Sequence, residues 1–206
     1  MKVTAATALD ADSVVDLLVR AFANDNQMRY FFGEVAADRR VLAREFFSIL
    51  LGARMALGMP AHVLKDEERL AGLVMGYDTR RLAWPSACER RWQMLLERQA
   101  GLADRIDRVD QFVGRCAPTE SHFYLGVLGV DPACQGRGAG SHLIEAFCRL
   151  SDQDPDSQGV FLETAETGNA EYYRKRGFEP AGSIALNESY NLHCLFRPRR
   201  KQGGLA

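Results

Sequence analysis

The chain has 206 residues, of which 47% are apolar and 26% charged, and its formal net charge is −1. That length and composition fit one globular domain with a substantial core, and the near-neutral balance excludes bulk attraction to nucleic acid or to an anionic membrane. No early apolar run resembles a secretory signal, and the longest apolar stretch, 46–61, is broken by Arg54, so a cytoplasmic protein is expected.

Lys2 to Thr7 predicts a first strand. Asp10 or Asp12 can cap the helix that follows, whose apolar face is Val14, Leu17, Leu18, Ala21 and Phe22, and Asn24-Asp25-Asn26 ends it. Gln27 to Phe32 mixes aromatic and polar groups in a loop or short helix. It either staples neighbouring helices or presents Tyr30, Phe31 and Phe32 to a ligand. A second helix is expected over about 39–53, with Leu42, Phe46, Ile49, Leu50 and Ala53 on one stripe, and Gly58-Met59-Pro60 closes it. Ala61–Lys65 and Leu70–Asp78 read as a hairpin turned by Asp66-Glu67-Glu68-Arg69. Gly72 and Gly76 in its second strand point to a close neighbouring backbone or a bulge. Arg80-Arg81 reads as a solvated turn.

Residues 85–117 read as a pair of helices. Pro85-Ser86 opens the first, which carries Trp92, Leu95 and Leu96; Gly101 separates it from a second carrying Leu102, Ile106, Val109 and Val113. Dense charge on the other faces predicts a solvated surface. No linker isolates the pair, so 1–206 is expected to form a single domain.

His122 to Val130 is an apolar run rich in aromatic and branched residues, too short for a typical helix, and reads as a buried strand ending at Asp131-Pro132. Ser141 to Leu150 is helical, with Leu143, Ile144, Phe147 and Leu150 at helical spacing. Between them lies Gln135-Gly136-Arg137-Gly138-Ala139-Gly140. Its alternate glycines remove the Cβ atoms that would hold an anion away from the backbone. The N–H groups and positive dipole end of the helix start face the turn. Gln135 and Arg137 add side-chain donors, with Arg137 suited to a charge-assisted pair with phosphate. This is the pattern of a pyrophosphate cradle. It lacks the Gly-Lys-Ser/Thr ending of an NTPase phosphate loop, and its glycine spacing is not that of a dinucleotide fold.

Downstream, Asp152 to Gly159 is a surface turn, 160–165 a strand, and Asn169 to Arg176 a helix followed by Gly177 at a C-cap. Two more strands, about 178–186 and 189–196, complete a mixed sheet, and 197–206 forms a basic, flexible tail. The five cysteines, at 88, 116, 134, 148 and 194, have no Cys-x-x-Cys and are expected to be reduced. Cys134, beside the loop, reads as a turn spacer. The four histidines show no metal-ligand spacing, so no metal is expected.

Gln-x-x-Gly-x-Gly after a strand ending Val-Asp-Pro resembles the acetyl-CoA-binding motif of the GNAT acetyltransferases. The stretch Asn169 to Phe178, with Tyr173 and Gly177, is similar to the family's Asn-x-x-x-Tyr-x-x-x-Gly-Phe segment. The Leu162-Glu163-Thr164 strand, the segment Ala21 to Asp25 and the central insertion look most like the puromycin N-acetyltransferase branch. The strong resemblance covers about residues 120–180. It implies a mixed α/β GNAT fold: a central, mostly antiparallel mixed sheet of about seven strands, splayed between the fourth and fifth, flanked by helices, with the helical insertion before the fourth. It also implies coenzyme A as cofactor, delivered as acetyl-CoA, and a small-molecule amine as partner, on a monomer or homodimer. The main-chain groups of Leu128, Gly129 and Val130, with Gly129 at a bulge, would receive the pantetheine arm, and residues 135–141, Ser141 included, the pyrophosphate. Asn169 would bond the cofactor arm and Tyr172 pack against it. In the family the 27–32 region commonly walls the substrate cleft, here through Tyr30 and Phe31.

Acetyl transfer to an amine requires a base for the ammonium proton and an acid for the departing thiolate. By the resemblance, Tyr173 is the acid. Tyr124 stands where histone-type members carry a glutamate, and so faces the substrate without serving as that base. His122, two residues earlier on the same face, and Glu163, a lone acid in an apolar strand, are the candidates for the base. The leading expectation is a small-molecule N-acetyltransferase working by direct attack in a ternary complex. The alternatives are a non-catalytic acyl-CoA-binding module and a protein or peptide N-acetyltransferase.

Overall fold

The computed structural model describes residues 1–67, 69–80 and 82–200. Of the expected tail, 197–200 is not free, since β7 runs to Pro198 and Asp152 pairs with buried Arg197 and accepts the Arg200 N–H; 201–206, Glu68 of the hairpin turn and Arg81 lie outside the described residues. The chain runs β1 (Lys2–Ala5), α1 (Ala11–Ala21), α2 (Asn26–Phe32), α3 (Ala36–Ala56), β2 (Ala61–Asp66), β3 (Arg69–Tyr77), α4 (Ser86–Glu97) and α5 (Leu102–Cys116). It continues through β4 (Phe123–Val130), α6 (Ala139–Gln153), β5 (Gly159–Thr164), α7 (Thr167–Arg174), β6 (Glu179–Ala185) and β7 (Asn191–Pro198). The seven strands form one sheet in the order β1-β2-β3-β4-β5-β7-β6. Every neighbouring pair is antiparallel except β4 and β5. No helix among the described residues is long and apolar enough to cross a membrane.

Side-chain alternation along the strands feeds two cores, one on each face. Leu73 and Met75 of β3 join α1, α2, α3 and α5, whereas Val74 of β3 joins α6 with Phe123 and Leu125 of β4. Alternation alone would send Val127 to the side of Leu125, yet it packs with α1 and α3. The cause is a bulge. The register steps from Met75–Val127 to Gly76–Leu125, leaving Gly126 as an extra residue on β4. This corrects the expected bulge at Gly129, which pairs regularly with Leu73. Gly129 is small for another reason: a Cβ there would stand 2.5 Å from Leu18 Cδ2 of α1. The expectation for Gly76 holds, since a Cβ there would come within 1.9 Å of the Tyr124 carbonyl oxygen.

Several boundaries move for local reasons. Asp25, expected to end α1, begins α2, because its carboxylate accepts the Met28 N–H at 2.9 Å. The helix expected over 39–53 runs three residues further at each end, to Ala36 and Ala56. α6 starts at Ala139 rather than Ser141, so the last two residues of the glycine loop form its first turn. α7 starts at Thr167, which places Asn169 in its first turn rather than at its cap.

Gly76→Ala should cost about 3 kcal/mol of unfolding free energy, since neither the Tyr124 carbonyl nor the sheet can retreat. Gly114→Ala on α5, where a Cβ meets nothing within 4 Å, should gain roughly 0.5–1 kcal/mol by helix propensity. Urea denaturation of the two variants checks the pair.

Candidate active site

β4 and β5 pair only through Phe123–Val160 and Tyr124–Phe161. Past the bulge they separate, and two cavities open at the separation. One, of about 710 Å³, is lined by Leu128, Gly129 and Val130, by the loop residues Gln135, Gly136, Gly138, Gly140 and Ser141, and by Asn169, Tyr172, Tyr173 and Arg176. The other, of about 650 Å³, lies among α2, α3 and the α4–α5 pair and reaches Tyr124 and Glu163. Both are lined by Phe22 and Asp25, so they adjoin there.

The loop cavity has the features of an anion cradle. Gly136 and Gly138 take φ values of +74° and +84°, which side chains resist. Gly138 caps α6 with no side chain, so the first-turn N–H groups have no side-chain acceptor from the cap. A Cβ on Gly140 would stand 2.9 Å from Tyr172 Oη and fill the cradle. The strand leading into it is fixed by Asp131. Its carboxylate pairs with Arg20 at 2.8 Å and Arg69 at 3.1 Å and accepts the Ala133 N–H. These partners, Arg20 foremost, hold the Asp131 carboxyl below its ordinary value.

Two loop residues lie elsewhere. Arg137 faces outward and pairs with Asp66 at 3.4 Å, and Ala139 is buried in the core under α6. The cation at the cradle is Arg176, which the sequence reading missed. Its guanidinium lies 3.3 Å from the centre of the Tyr172 ring, donates to Ser141 Oγ at 2.5 Å and donates to the Tyr172 carbonyl at 2.7 Å. Ser141 Oγ and Tyr172 Oη are themselves 3.0 Å apart. The available signal was spacing: Arg176 stands four residues after Tyr172.

Tyr173 lines the same cavity and is only 7% exposed. Burial pushes its phenol well above the ordinary value, and the charges of Tyr172 and Glu163 push in the same direction. It therefore holds its proton near neutrality, where it can act as an acid and not as a base.

Glu163 lines the other cavity. Tyr124 pairs with Phe161 across the parallel strands, which sets Glu163 two residues further along β5, and Tyr124 Oη donates to Glu163 Oε1 at 2.6 Å. Burial pushes the Glu163 carboxyl up to about 7, against the lowering effects of the Tyr124 hydrogen bond and the Arg54 charge. Burial also raises the Tyr124 phenol well above its ordinary value. Asp25, at the junction, is likewise raised by burial, to about 6.

His122 shares the face of Tyr124, packing edge-on to Phe161 at 5.8 Å, with its Nδ1 2.8 Å from the Glu120 carbonyl. It lines neither cavity. Phe31 lines the second cavity; Tyr30 packs against Phe31 at 5.9 Å without lining it. Much of that wall is aromatic. Trp84 Nε1 donates to Tyr77 Oη at 2.5 Å, and Tyr77 stacks on Tyr124 with ring centres 6.4 Å apart. Trp92 contacts both Trp84 and Phe46 at 5.6 Å. Among the described residues, no group of three or more His, Cys, Asp or Glu side chains could hold a metal ion.

Residues 101–180 match the family model described as "Acetyltransferase (GNAT) domain". The fold is the GNAT fold. Among solved structures, the chain superimposes on a protein from Corynebacterium glutamicum described as "histone acetyltransferase HPA2 and related acetyltransferase", with a TM-score of 0.67, 20% identity and 98% of each chain covered. A polyamine N-acetyltransferase from Drosophila melanogaster aligns with a TM-score of 0.62 and 15% identity over 95% of this chain and 97% of that one. The ribosomal-protein-S18-alanine N-acetyltransferase of Escherichia coli gives 0.57 and 12% over 100% and 97%. At these identities the likeness is one of GNAT architecture, and the acceptors named for the relatives differ from one another.

Tyr124→Phe deletes the hydrogen bond that favours the Glu163 carboxylate. The Glu163 titration should then move upward from about 7. Side-chain carboxyl NMR of the labelled protein reads the shift; a titration that moves down contradicts the geometry.

Proposed function

We propose that the protein is an acetyl-CoA-dependent N-acetyltransferase that acetylates the primary amine of a small molecule by direct transfer in a ternary complex. The observation that carries this reading is the junction of the two cavities at Phe22 and Asp25, with a buried proton donor, Tyr173, on one side and a carboxyl titrating at about 7, Glu163, on the other.

The loop cavity suits coenzyme A. The first-turn amides of α6, Ser141 and Arg176 would hold the pyrophosphate, and the main chain of Leu128, Gly129 and Val130, released from β5, would receive the pantetheine arm as an added strand. Asn169 and Tyr172 line the same cavity. When bound, acetyl-CoA supplies the acetyl group as a thioester. Glu163 then takes the proton that the attacking ammonium must lose, and Tyr173 gives its phenolic proton to the departing sulfur. Cys134 is buried and lines neither cavity, so it offers no nucleophile for an acyl-enzyme.

The three stretches that resemble the puromycin N-acetyltransferase branch all reach the second cavity: Phe22 and Asp25 from the turn between α1 and α2, Glu163 from β5, and Trp92, Ile106 and Asp110 from the insertion. Walls contributed by α2, α3, α4 and α5 favour a compact acceptor over an extended peptide. The buried, proton-holding Tyr173 favours an enzyme over a binding module.

Tyr173→Phe should lower kcat by about 100-fold or more while leaving coenzyme A binding unchanged, as followed by thiol release and by calorimetry. In the wild type, kcat/KM should rise with pH through about 7 as Glu163 loses its proton, then level off. Glu163→Gln should abolish that limb; a limb that persists unchanged would remove Glu163 from the role of base.

A further inference from the structure

The five cysteines are free thiols, and two that are 78 residues apart in sequence meet in the fold. Cys116 ends α5, and Cys194 lies on β7. Both belong to the core on the α1–α3 face of the sheet, Cys194 fully buried and Cys116 half-buried. Gly182 of β6 stands opposite Cys194 in the antiparallel β6–β7 ladder. A Cβ on Gly182 would lie 2.5 Å from Cys116 Sγ. Opposed Cβ positions on such a ladder are about 4.5–5.5 Å apart, so the Cys116 sulfur fills the place beside Cys194 that a side chain at 182 would take. The φ of Gly182 is not positive, so this position needs glycine for room and not for a turn.

The two thiols are hydrogen-bonded. Burial raises the Cys194 thiol well above its ordinary value, and its contact with Cys116 acts in the same direction. The other cysteines stand apart from the pair. Cys134 and Cys148 lie in the core under α6, on the opposite face, and Cys88 is on α4, its sulfur 3.9 Å from where a Cβ on Gly52 would stand. Cys194 is also the register partner of Glu163 on β5. The pair thus sits between the end of the helical insertion and the strand that carries Glu163.

We propose that Cys116 and Cys194 are a modification site, forming a reversible disulfide on exposure to a hydroperoxide. The oxidant reaches the half-buried Cys116 first. With hydrogen peroxide, the Cys116 thiolate attacks one oxygen, the O–O bond breaks, and a sulfenic acid and one water result. The Cys194 sulfur then attacks the sulfenic sulfur and the S–O bond breaks. The departing hydroxide takes the Cys194 proton as a second water. Two thiols are oxidised and one peroxide is reduced, and a dithiol reverses the link by exchange. The link closes the chain between 116 and 194, which restricts the unfolded state. It also ties down the helix whose Ile106, Val109 and Asp110 line the second cavity.

The test treats the folded, reduced protein with hydrogen peroxide, counts thiols after denaturation and maps the peptides without reduction. Two of the five thiols should be lost, in one cross-linked peptide pair holding Cys116 and Cys194, and dithiothreitol should restore both. Cys116→Ser should abolish the link. Gly182→Ala keeps every thiol but puts a methyl group where the Cys116 sulfur lies, and should slow linking by about tenfold or more. The linked wild type should melt about 5 °C or more above the reduced form. A full thiol count after peroxide, a link between other cysteines, or Cys116 carried on to sulfinic acid without a link overturns the proposal. So does a link that forms as fast in Gly182→Ala, or one that lowers the melting temperature, since the native geometry would then not be what sets it. Should Gly182→Ala fail to fold, the wild-type peptide map and melting temperature decide.

Discussion

The arrangement depends on a steric constraint at one point of the sheet. Gly126 is the extra residue of a bulge on β4, facing Met75 and Gly76 of β3, and the Tyr124 carbonyl presses so close to Gly76 that no Cβ fits between them. A bulge bends its strand and raises the local twist. Here β4 keeps its ladder with β3 from Val127 to Val130 but pairs with β5 only at Phe123 and Tyr124. The parting also reassigns faces: Leu125 packs with α6 on one side, whereas Val127 packs with α1 and α3 on the other. Main chain that would otherwise be spent on a sheet ladder is thereby left for a ligand, and the two cavities meet beside it.

The open sheet is tied back at its edges by polar contacts. Asn26 at the start of α2 donates its N–H to Glu166 after β5 at 2.8 Å, and its side chain reaches the Ala165 carbonyl. Arg105 of α5 donates to the Phe31 carbonyl at 2.7 Å, holding the insertion against α2. Between these ties sit Glu163 and Arg54, two charges that burial disfavours in opposite directions: it raises the carboxyl and lowers the guanidinium. Tyr124 and the Leu50 carbonyl offset part of that cost.

The loop and the Asn169–Phe178 segment were legible in the sequence because their chemistry is local: alternate glycines, a strand before and a helix after. The number of strands and the splay followed from the resemblance. What stayed hidden depends on contacts distant in the chain. Gly126 and Gly129 look equivalent until the pairing with β3 shows which is the extra residue and which yields to Leu18. Arg137 sits inside the motif yet turns to Asp66, while Arg176, 39 residues further on, comes back over Tyr172 to Ser141. Asp25 reads as a helix stop because residues that favour turns also cap the helix that follows, as its carboxylate does for α2. In the aromatic cavity Phe31 was legible through the resemblance, but Phe46, Trp84 and Trp92 were not, since they come from other stretches of the chain, all outside residues 101–180 that match the family model.

In the proposed complex, coenzyme A lies in the gap where β4 leaves β5, with its pyrophosphate at the start of α6. Amide hydrogen exchange with and without coenzyme A tests it most directly. Bound coenzyme should slow exchange across 126–130 and 136–141 and leave β1 unchanged. Saturating coenzyme A that leaves both stretches unprotected would contradict the account.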